Sequence, residues 1–555
     1  MTPLEELMPT HQVNLDALIN REPFVFEPGD ESAVQAPAFK LSELKRGEGF
    51  DILFRKPDFQ RVTHNWTPRV IAEFVRSYLD GEVIPAIIVW QSKKTNKVYI
   101  IDGSHRVSAL MAWVNNDYGD GEISDKFFSD ILKAQQIMAD QTRQLMKEIV
   151  GGTYDEFDKY RKGQLPAPND DAKRRALAIT SRPIAIQSVI GDAKAAENSF
   201  IRINGNQAAI DHTELNMIKA RYKPNAIATR AIVSAGGGYK YWGEFSQGTK
   251  DKIEKLAKEC YGILFGQVVD IDIDSSDVPK GGQPYSQEAF TMVLDLVNMY
   301  NNITPAMWQT KGGRTKTKAG ISVQRLEDDK DGTETIRCLE SVKTKASLAS
   351  SRQLAKSLAL DPAVYCYGNT GSFHTGAFLA SRKFVVELYE QNRFKQFTKT
   401  RKYFEDFLVR HNSFINQLTH LRGSRTRSVE AILEMFRTLL EQLQNKVRKD
   451  DLIIKAMRSK KGLNKLADEE PDFEEPLRKR FSKAVERAKV VQRTLNNREY
   501  CPECKARLAP MLRSKEHLEP QEQGGMGSLD NLEFLHPFCN QLRTEKQQRG
   551  KKRKI

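Results

Sequence analysis

A cluster of cysteine, histidine, acidic and asparagine residues near the end of the chain constrains its fold more than any other feature. Its members are Cys501, Cys504, Glu516, His517, Asn531, His536, Cys539 and Asn540. Two kinds of site are interleaved in this cluster. The cysteines and His536 have the ligand types and spacing of a structural zinc site, whereas the other residues offer a base and oxygen ligands for a hydrolytic metal.

The zinc interpretation needs four ligands, and only three cysteines lie in this part of the chain. His536 occupies the position of the missing ligand, so the predicted set is Cys501, Cys504, His536 and Cys539. Three cysteines and one histidine form an ordinary tetrahedral zinc site. Because a module this small has little hydrophobic core, the metal is expected to supply much of its folding free energy. The alternative is that the cysteine pair is incidental and that His536 merely packs.

The second site has the groups that phosphodiester hydrolysis requires: an activator for water, a source of positive charge and help for the leaving oxygen. Histidine is well suited to act as a general base at neutral pH, which predicts that role for His517. Glu516 and Asn540 offer oxygen ligands that suit Mg²⁺ or Mn²⁺. Asn531 would either pin the loop and so orient His517, or reach the metal itself.

The charge of the chain favours a polyanionic partner such as double-stranded DNA. The formal net charge is +14, and the last fifteen residues hold seven Lys or Arg and one Glu. Such a tail is often only a solvated end, but phosphate contact is the better interpretation directly after a hydrolytic site. No apolar run is long enough for a transmembrane helix, and the polar N-terminus is not a secretory signal. These features predict a cytoplasmic protein without membrane insertion.

A strand, a tight turn and a helix form a second candidate site near the N-terminus. The pattern predicts a helix over Pro68–Leu79, strands over Val83–Trp90 and Lys97–Ile101, and a helix over Val107–Val114. The turn before the last helix is Asp102-Gly103-Ser104-His105-Arg106.

The chemistry of this turn suits an anion. Gly103 permits a tight turn, Ser104 can cap the helix, and the free N–H groups at the helix start attract negative charge. Arg106 adds a planar fork of donors suited to phosphate, and Asp102 can hold a metal or act on a proton. The plainer alternative is a tight turn with a capped helix and surface charges.

The remaining pattern predicts several domains in a chain of 555 residues. Residues 1–48 show no clear helical or strand periodicity, which predicts a loosely structured lead-in. Residues 49–220 form the domain around Asp102–Arg106, with a strand at Ser181–Val189, an extended piece at Phe200–Ile203 and a turn at Asn204–Asn206. Asp211 or Thr213 is a candidate cap for the helix that follows. Residues 221–475 are predicted to be mainly helical, and residues 476–555 form the C-terminal module with its basic tail.

Two stretches of the N-terminal part resemble the ParB/sulfiredoxin-like domain of GmrSD-type restriction proteins. The resemblance covers residues 54–110 and 198–220, and its members are Gln60, Arg61, Trp66, Pro85, Asp102 to Arg106, Phe200, Arg202, Ile203, Asn204, Glu214 and Leu215. Here Ser104 replaces the Gln that is usual in the family's DGQQR or DGQHR box.

The resemblance implies an α+β domain that binds a nucleotide and senses it for a nuclease. Carried over, it implies that Asp102, Gly103, Ser104, His105 and Arg106 line a site for a nucleoside triphosphate or a nucleic-acid phosphate. Arg61 and Arg202 would supply further positive charge.

The C-terminal module resembles an HNH endonuclease, which implies a ββα-metal fold with a structural zinc. His517 and Asn531 are fourteen residues apart, and Asn540 follows nine residues later. Gly524 and Gly525 fall in the expected loop. The resemblance implies that Glu516, His517, Asn531 and Asn540 are catalytic, with Asn540 in place of the family's final histidine.

Two hypotheses follow for the whole chain. The first is a metal-dependent DNA endonuclease, nicking or cutting both strands, in a bacterial anti-phage or restriction system whose N-terminal domain senses nucleotide or DNA. Other proteins of a defence operon would then be partners, as in a multi-gene system similar to Zorya type II. The second is a non-catalytic, nucleic-acid-binding regulatory protein that keeps a zinc-folded relic of the nuclease. The oligomeric state does not follow from the sequence.

Overall fold

The computed structural model describes residues 12–24, 30–32, 38–60, 66–128, 133–207, 212–265, 287–308, 325–423, 426–467 and 483–552. The chain divides into two compact units. The first comprises Met1–Ile227, Gly237–Glu244 and Pro305–Asp328, and the second comprises Ala228–Gly236, Phe245–Thr304 and Asp329–Ile555. Among the described residues, no helix is both long enough and apolar enough to span a bilayer.

The first unit is built on a six-stranded mixed sheet with the strand order β1-β3-β5-β4-β6-β2. Its strands are β1 (Arg21–Glu22), β2 (Ala38–Phe39), β3 (Phe54–Pro57), β4 (Ile87–Gln91), β5 (Val98–Asp102) and β6 (Ile184–Ser188). The central strands β4 and β5 are antiparallel, and β2 is antiparallel to β6. The other neighbours, β1 with β3, β3 with β5 and β4 with β6, are parallel.

Both faces of this sheet are buried. Along β5, Val98 and Ile100 join a large apolar cluster, whereas Tyr99 and Ile101 join a second, smaller cluster that contains Trp90. Successive side chains of a strand point to opposite faces, so a continuous apolar run is expected where both faces are covered. This explains why β5 has no polar residue before Asp102, which ends it at the edge of the core.

Helices surround the sheet in the first unit. They are α1 (Gly49–Leu53), α2 (Pro68–Asp80), α3 (Ser104–Asn115), α4 (Glu122–Phe128), α5 (Lys133–Leu145), α6 (Tyr154–Arg161), α7 (Asp170–Ser181), α8 (Ala193–Gln207) and α9 (His212–Lys219). The predicted helix over Pro68–Leu79 is confirmed. Its first turn is capped by Thr67, whose side chain accepts a hydrogen bond from the N–H of Val70, and Gly81 ends it in a left-handed conformation.

Three predictions for the first unit are wrong. The strand predicted from Val83 begins only at Ile87, because Pro85 lacks an N–H and Val83 is 97% exposed. The extended piece and the turn predicted over 200–206 belong to helix α8, in which Phe200 packs 4.9 Å from the ring of Phe59. Burial of this aromatic pair therefore overrides the local preference of the Asn-Gly-Asn sequence.

The start of the chain is also more ordered than the pattern predicts. Residues 12–24 and 38–48 were expected in a loose lead-in, yet Leu15, Leu18, Leu41 and Leu44 are part of the large apolar cluster. These leucines lie in or next to short 3-10 helices, so no helical or strand period is visible in the sequence. The predicted cap Asp211 lies outside the described residues, and Thr213 lies inside α9.

The second unit is mainly helical, as predicted, and ends in a small hairpin and a helix. Its helices and those that follow α9 are α10 (Pro224–Val233), α11 (Gln247–Phe265), α12 (Gln287–Tyr300), α13 (Pro305–Trp308, in the first unit), α14 (Thr333–Ser350), α15 (Pro362–Tyr365), α16 (Thr375–Glu390), α17 (Phe394–Arg410), α18 (Ser413–Arg422), α19 (Thr426–Gln444), α20 (Asp450–Arg458), α21 (Lys483–Asn496) and α22 (Pro537–Lys552). The hairpin strands β7 (Ser514–His517) and β8 (Leu532–Leu535) are antiparallel.

Candidate functional site

The predicted zinc ligands come together in the second unit. One ligand atom from each of Cys501, Cys504, His536 and Cys539 lies within 4.8 Å of all the others. Three of these residues are buried and Cys504 is half-buried. The cluster could therefore hold a metal ion such as zinc, for which this donor set is suited.

The protein orients His536 for such a role. Its Nε2 atom lies 2.8 Å from the carbonyl oxygen of Arg507, so Nε2 carries the proton, and its Nδ1 atom lies 3.4 Å from Sγ of Cys504. Burial lowers the pKa of His536, which favours the neutral ring that a metal ligand requires. Hydrogen bonds from Cys504 and Cys539 lower the pKa of the Cys501 thiol, which favours a thiolate.

The buried ion pair Arg401–Glu405 on helix α17 stabilises the backbone segment that holds His536. Glu405 accepts a hydrogen bond from the N–H of Arg507 (3.1 Å), the residue whose carbonyl holds His536. Arg401 donates to Glu405 (2.7 Å) and to the carbonyl oxygen of Leu358 (2.7 Å). Orienting partners of this kind fix the ring of a ligating histidine. Nothing in the local pattern of the cysteine cluster identifies Glu405, because it lies about a hundred residues away.

The hairpin and the last helix place the predicted hydrolytic residues on one scaffold. Glu516 and His517 end strand β7, and Glu516 lies directly opposite Glu533 of strand β8. Directly opposed residues of two strands project from the same face of the pair. Glu533 accepts a hydrogen bond from Arg543 of α22 (2.6 Å), so Glu516 projects from the face that α22 covers. That helix also carries Asn540.

The side chain of His517 is half-buried at the end of its strand. The amide nitrogen of Gln521 lies 3.5 Å from its Nε2 atom. Because an amide nitrogen can only donate, this contact leaves the Nε2 lone pair as the acceptor. To take a proton from water, Nε2 would have to exchange this contact for one with the water molecule.

Asn531 makes contacts that pin the loop of the hairpin. Its amide oxygen accepts from the N–H of Glu519 (2.7 Å), and its amide nitrogen donates to the carbonyl oxygens of Glu519 (3.2 Å) and Met526 (2.8 Å). Gly525 lies so close to this loop that a Cβ atom would meet the Glu519 carbonyl oxygen at 1.8 Å. Of the two roles left open for Asn531, these contacts favour the orientation of the loop that follows His517.

Asn540 is placed in the first turns of α22, where its Oδ1 atom is buried and accepts no hydrogen bond from any described residue. A buried acceptor without a donor calls for an explanation. A divalent cation would satisfy it, and the carboxylate of Glu516 offers a further oxygen ligand of the kind that Mg²⁺ and Mn²⁺ prefer.

The first unit holds a separate pocket of about 250 Å³ at the start of α3. Its lining residues are Gln60, Trp66, Ile101, Asp102, Gly103, Ser104, His105, Arg106 and Phe200. The predicted Asp102–Arg106 turn therefore does form the wall of a pocket. Arg61 lies outside the described residues, and Arg202 is exposed on α8 and does not line the pocket.

The structure corrects the predicted helix cap and adds contacts of Arg106 that the sequence did not predict. Ser104 does not cap the helix: Gly103 is the N-cap residue, with φ +97°, and a Cβ atom there would meet Ile87 at 2.7 Å. Arg106 donates to Asp102 (2.6 Å) and to the carbonyl oxygens of Pro85 and Ala86. The guanidinium thus joins the start of α3 to the segment before β4, and burial lowers its pKa.

Gln60 is a residue of this pocket whose contacts the sequence did not predict. It is only 6% exposed, and its amide nitrogen donates to the carbonyl oxygens of Ile100 and Ile101. Its Oε1 atom is buried and accepts no hydrogen bond within the part of the chain that the structure describes. The wall of the pocket therefore offers a buried acceptor beside the N-terminus of a helix.

The comparison with protein families concerns the domain that holds the pocket at the start of α3. Residues 41–223 match the model described as the GmrSD restriction endonuclease, N-terminal domain. These residues are similar to a GmrSD-type N-terminal domain. The resemblance predicted over residues 54–110 and 198–220 is thereby confirmed, since both stretches fall inside the match. Neither the curated proteins nor the solved structures contain a match to the chain.

Proposed function

We propose that this chain is a metal-dependent DNA endonuclease of the HNH type whose GmrSD-type domain responds to nucleotide or DNA. The observation that carries the proposal is the hairpin and helix of the second unit, which direct Glu516 towards the helix that holds Asn540. The matched domain adds support, because its description is that of a restriction endonuclease, a class that acts on DNA.

In this proposal, each residue of the hairpin and of α22 has a separate role in the reaction. His517 accepts a proton from the attacking water, and Asn531 fixes the loop that follows it. Glu516 and Asn540 would hold Mg²⁺ or Mn²⁺, which when bound neutralises charge on the scissile phosphate. Cys501, Cys504, His536 and Cys539 would hold a structural zinc that keeps the hairpin against α22. Lys and Arg residues along α22 favour the approach of the DNA backbone.

His517→Ala is expected to lower the rate of plasmid cleavage by roughly 100-fold or more, because general-base catalysis contributes at least that factor. Supercoiled plasmid is incubated with wild type or variant and Mg²⁺ or Mn²⁺, and nicked and linear products are scored separately. His420→Ala, which changes an exposed histidine on α18, should cleave like wild type.

The competing function is a nucleic-acid-binding regulator with an inactive relic of the nuclease. It is favoured if wild type and His517→Ala leave the plasmid equally intact, both with and without nucleoside triphosphates and on modified as well as unmodified DNA. Zinc binding alone does not separate the two functions, because both keep the cysteine cluster.

For the GmrSD-type domain, we propose a nucleotide or nucleic-acid phosphate at the N-terminus of α3, where backbone N–H groups and the helix dipole favour an anion. Such a sensor, together with a nuclease, fits a role in restriction or anti-phage defence alongside other proteins of an operon.

Arg106→Ala is expected to weaken binding at this pocket by about tenfold, the loss that accompanies one charge-assisted hydrogen bond of ~1.5 kcal/mol. The loss would arise through release of Asp102 as well as through the missing donor. Calorimetry with nucleoside triphosphates and with short DNA measures it, and Arg202→Ala serves as the control because Arg202 does not line the pocket. Unchanged affinity for every one of these ligands would remove the pocket from the sensing function.

A further inference from the structure

A pocket in the second unit lies beside Asn540 and is bordered by Ser514 at the start of β7. Its volume is about 440 Å³, and it lies between the loop after α14 and one face of α22. The loop contributes Arg352 and Gln353, and the helix contributes Asn540, Gln541, Thr544 and Gln548. Small-molecule sites occupy roughly 300–1,000 Å³, so a nucleotide unit fits this space.

The two walls of the pocket are held at a fixed separation. The N–H of Phe538, in the first turn of α22, donates to the carbonyl oxygen of Ser357 (3.1 Å). The hydroxyl of Ser357 in turn accepts from the N–H of Ser351, at the start of the loop (3.1 Å). The ring of Phe538 packs edge to face on Phe394, 5.3 Å away. The pocket is therefore organised before any ligand binds, which reduces the entropic cost of binding.

Carboxamide side chains dominate the lining of this pocket. Gln353, Asn540, Gln541 and Gln548 each present a donor and an acceptor. The Oε1 atom of Gln541 is buried and accepts no hydrogen bond from the described residues, while its Nε2 atom donates to Glu545 (3.1 Å). Side-chain amides are the groups that proteins use to read the paired donors and acceptors of base edges.

The charge of the pocket suits a nucleic-acid strand. Arg352 is exposed and forms no ion pair with a described residue, so its guanidinium is available at the mouth of the pocket. The carboxylate of Glu545 also lines the pocket, but Lys395 pairs with it at 3.2 Å and offsets its charge. A guanidinium with no competing partner is well suited to a backbone phosphate.

We propose that this pocket binds one nucleotide of the substrate strand next to the cleaved phosphate and discriminates between bases. The carboxamides of Gln353, Gln541 and Gln548 contact the base edge, and Arg352 contacts the backbone phosphate. The proposal rests on the nuclease function for its position beside Asn540, and it adds a source of sequence preference that the HNH residues themselves do not supply.

The pocket is tested by DNA binding, separately from cleavage. The full-length His517→Ala protein, with or without a further substitution, is titrated with short fluorescent DNA duplexes and single strands that differ at one position. Arg352→Ala should weaken binding of every sequence by a similar factor and reduce the salt dependence by about one phosphate contact. Gln541→Leu should leave the mean affinity nearly unchanged but remove roughly 5-fold or more of the difference between preferred and disfavoured bases.

The control is Arg337→Ala, which removes an exposed arginine of α14 that pairs with Glu334 and does not line the pocket. It should bind every DNA like its parent, and all variants should keep the zinc content of the parent. If cleavage depends on His517 but DNA affinity and base preference do not change in the Arg352 and Gln541 variants, the proposed nucleotide pocket is wrong and the nuclease function stands. Binding that depends on both residues in a protein that never cleaves would overturn the nuclease and support the pocket. Absence of DNA binding by the parent would overturn the pocket as well.

Discussion

Cys504→Ser is expected to abolish zinc binding and to unfold the hairpin of β7 and β8. Structural zinc contributes an apparent folding free energy of about 10–16 kcal/mol in small zinc modules. Among the described residues, the apolar cluster around the site contains Leu508, Leu535 and Phe534 besides the cysteines. This is a small core, so the hairpin is expected to depend on the metal. The zinc content of the purified protein and hydrogen exchange of the amides in residues 514–535 measure the two effects.

The matched control for this experiment is Cys338→Ala. Cys338 is a buried thiol of α14 that does not belong to the metal cluster, so its loss should leave the zinc content unchanged. A Cys504→Ser protein that keeps one zinc per chain and slow exchange in the hairpin would show that Cys504 is not a ligand. Plasmid cleavage should disappear together with the zinc, because Glu516 and His517 lie on the affected strand.

Glu405→Ala is expected to destabilise the second unit by about 3–5 kcal/mol, the usual cost of leaving one charge of a buried pair without its partner. Arg401 and Glu405 have side-chain exposures of only 1% and 0%. Burial lowers the pKa of Arg401, and in the wild type the Glu405 carboxylate more than offsets this effect. Arginine stays protonated even without such a partner, so the variant leaves a charge buried without its counter-ion. Chemical denaturation of wild type and variant measures the difference.

Two further variants distinguish the effect of the buried charge from other effects of substitutions in helix α17. Lys402→Ala removes a half-exposed partner of Asp406, and it should change stability by less than about 1 kcal/mol. Replacing Arg401 and Glu405 together by Met removes both charges and should recover most of the lost stability. Because Glu405 also holds the N–H of Arg507, the single Glu405→Ala change should weaken zinc affinity, whereas Lys402→Ala should not. Equal stability of wild type and Glu405→Ala would mean that the pair is not shielded from water.

The features that the sequence predicted well are those with strong local chemistry. The cluster that could hold a metal ion was predicted from residue type and spacing, because only a few side-chain types bind zinc and its ligands often lie close together in sequence pairs. Helix α2 was predicted within one residue of its end, since Pro68 and Gly81 mark its boundaries and its apolar residues repeat with a helical period. The GmrSD-type domain was recognised for a similar reason, from the ordered set of motifs around Asp102.

The features that were missed depend on contacts between distant parts of the chain. Phe200 was predicted in an extended segment, but its helix is fixed by packing on Phe59. The contacts of Arg106 with the carbonyl oxygens of Pro85 and Ala86 were not predicted, because these residues lie about twenty residues earlier. No local pattern in the sequence marks Arg352, since only the folded chain brings its loop next to Asn540. Tertiary packing, rather than local preference, decides each of these positions.

Buried contacts between the cysteine cluster and the helices of the second unit have a consequence for isolating the C-terminal module. Arg498, which precedes the first cysteine, is paired with Asp361 at 2.7 Å, and both side chains are buried. The apolar residues Ala509 and Leu512 share a small cluster with Ala359. A fragment that began near Arg498 would expose these surfaces and lose the Glu405 carboxylate that helps to orient His536. Such a fragment is therefore not expected to fold or to bind a metal ion without the helices of the second unit.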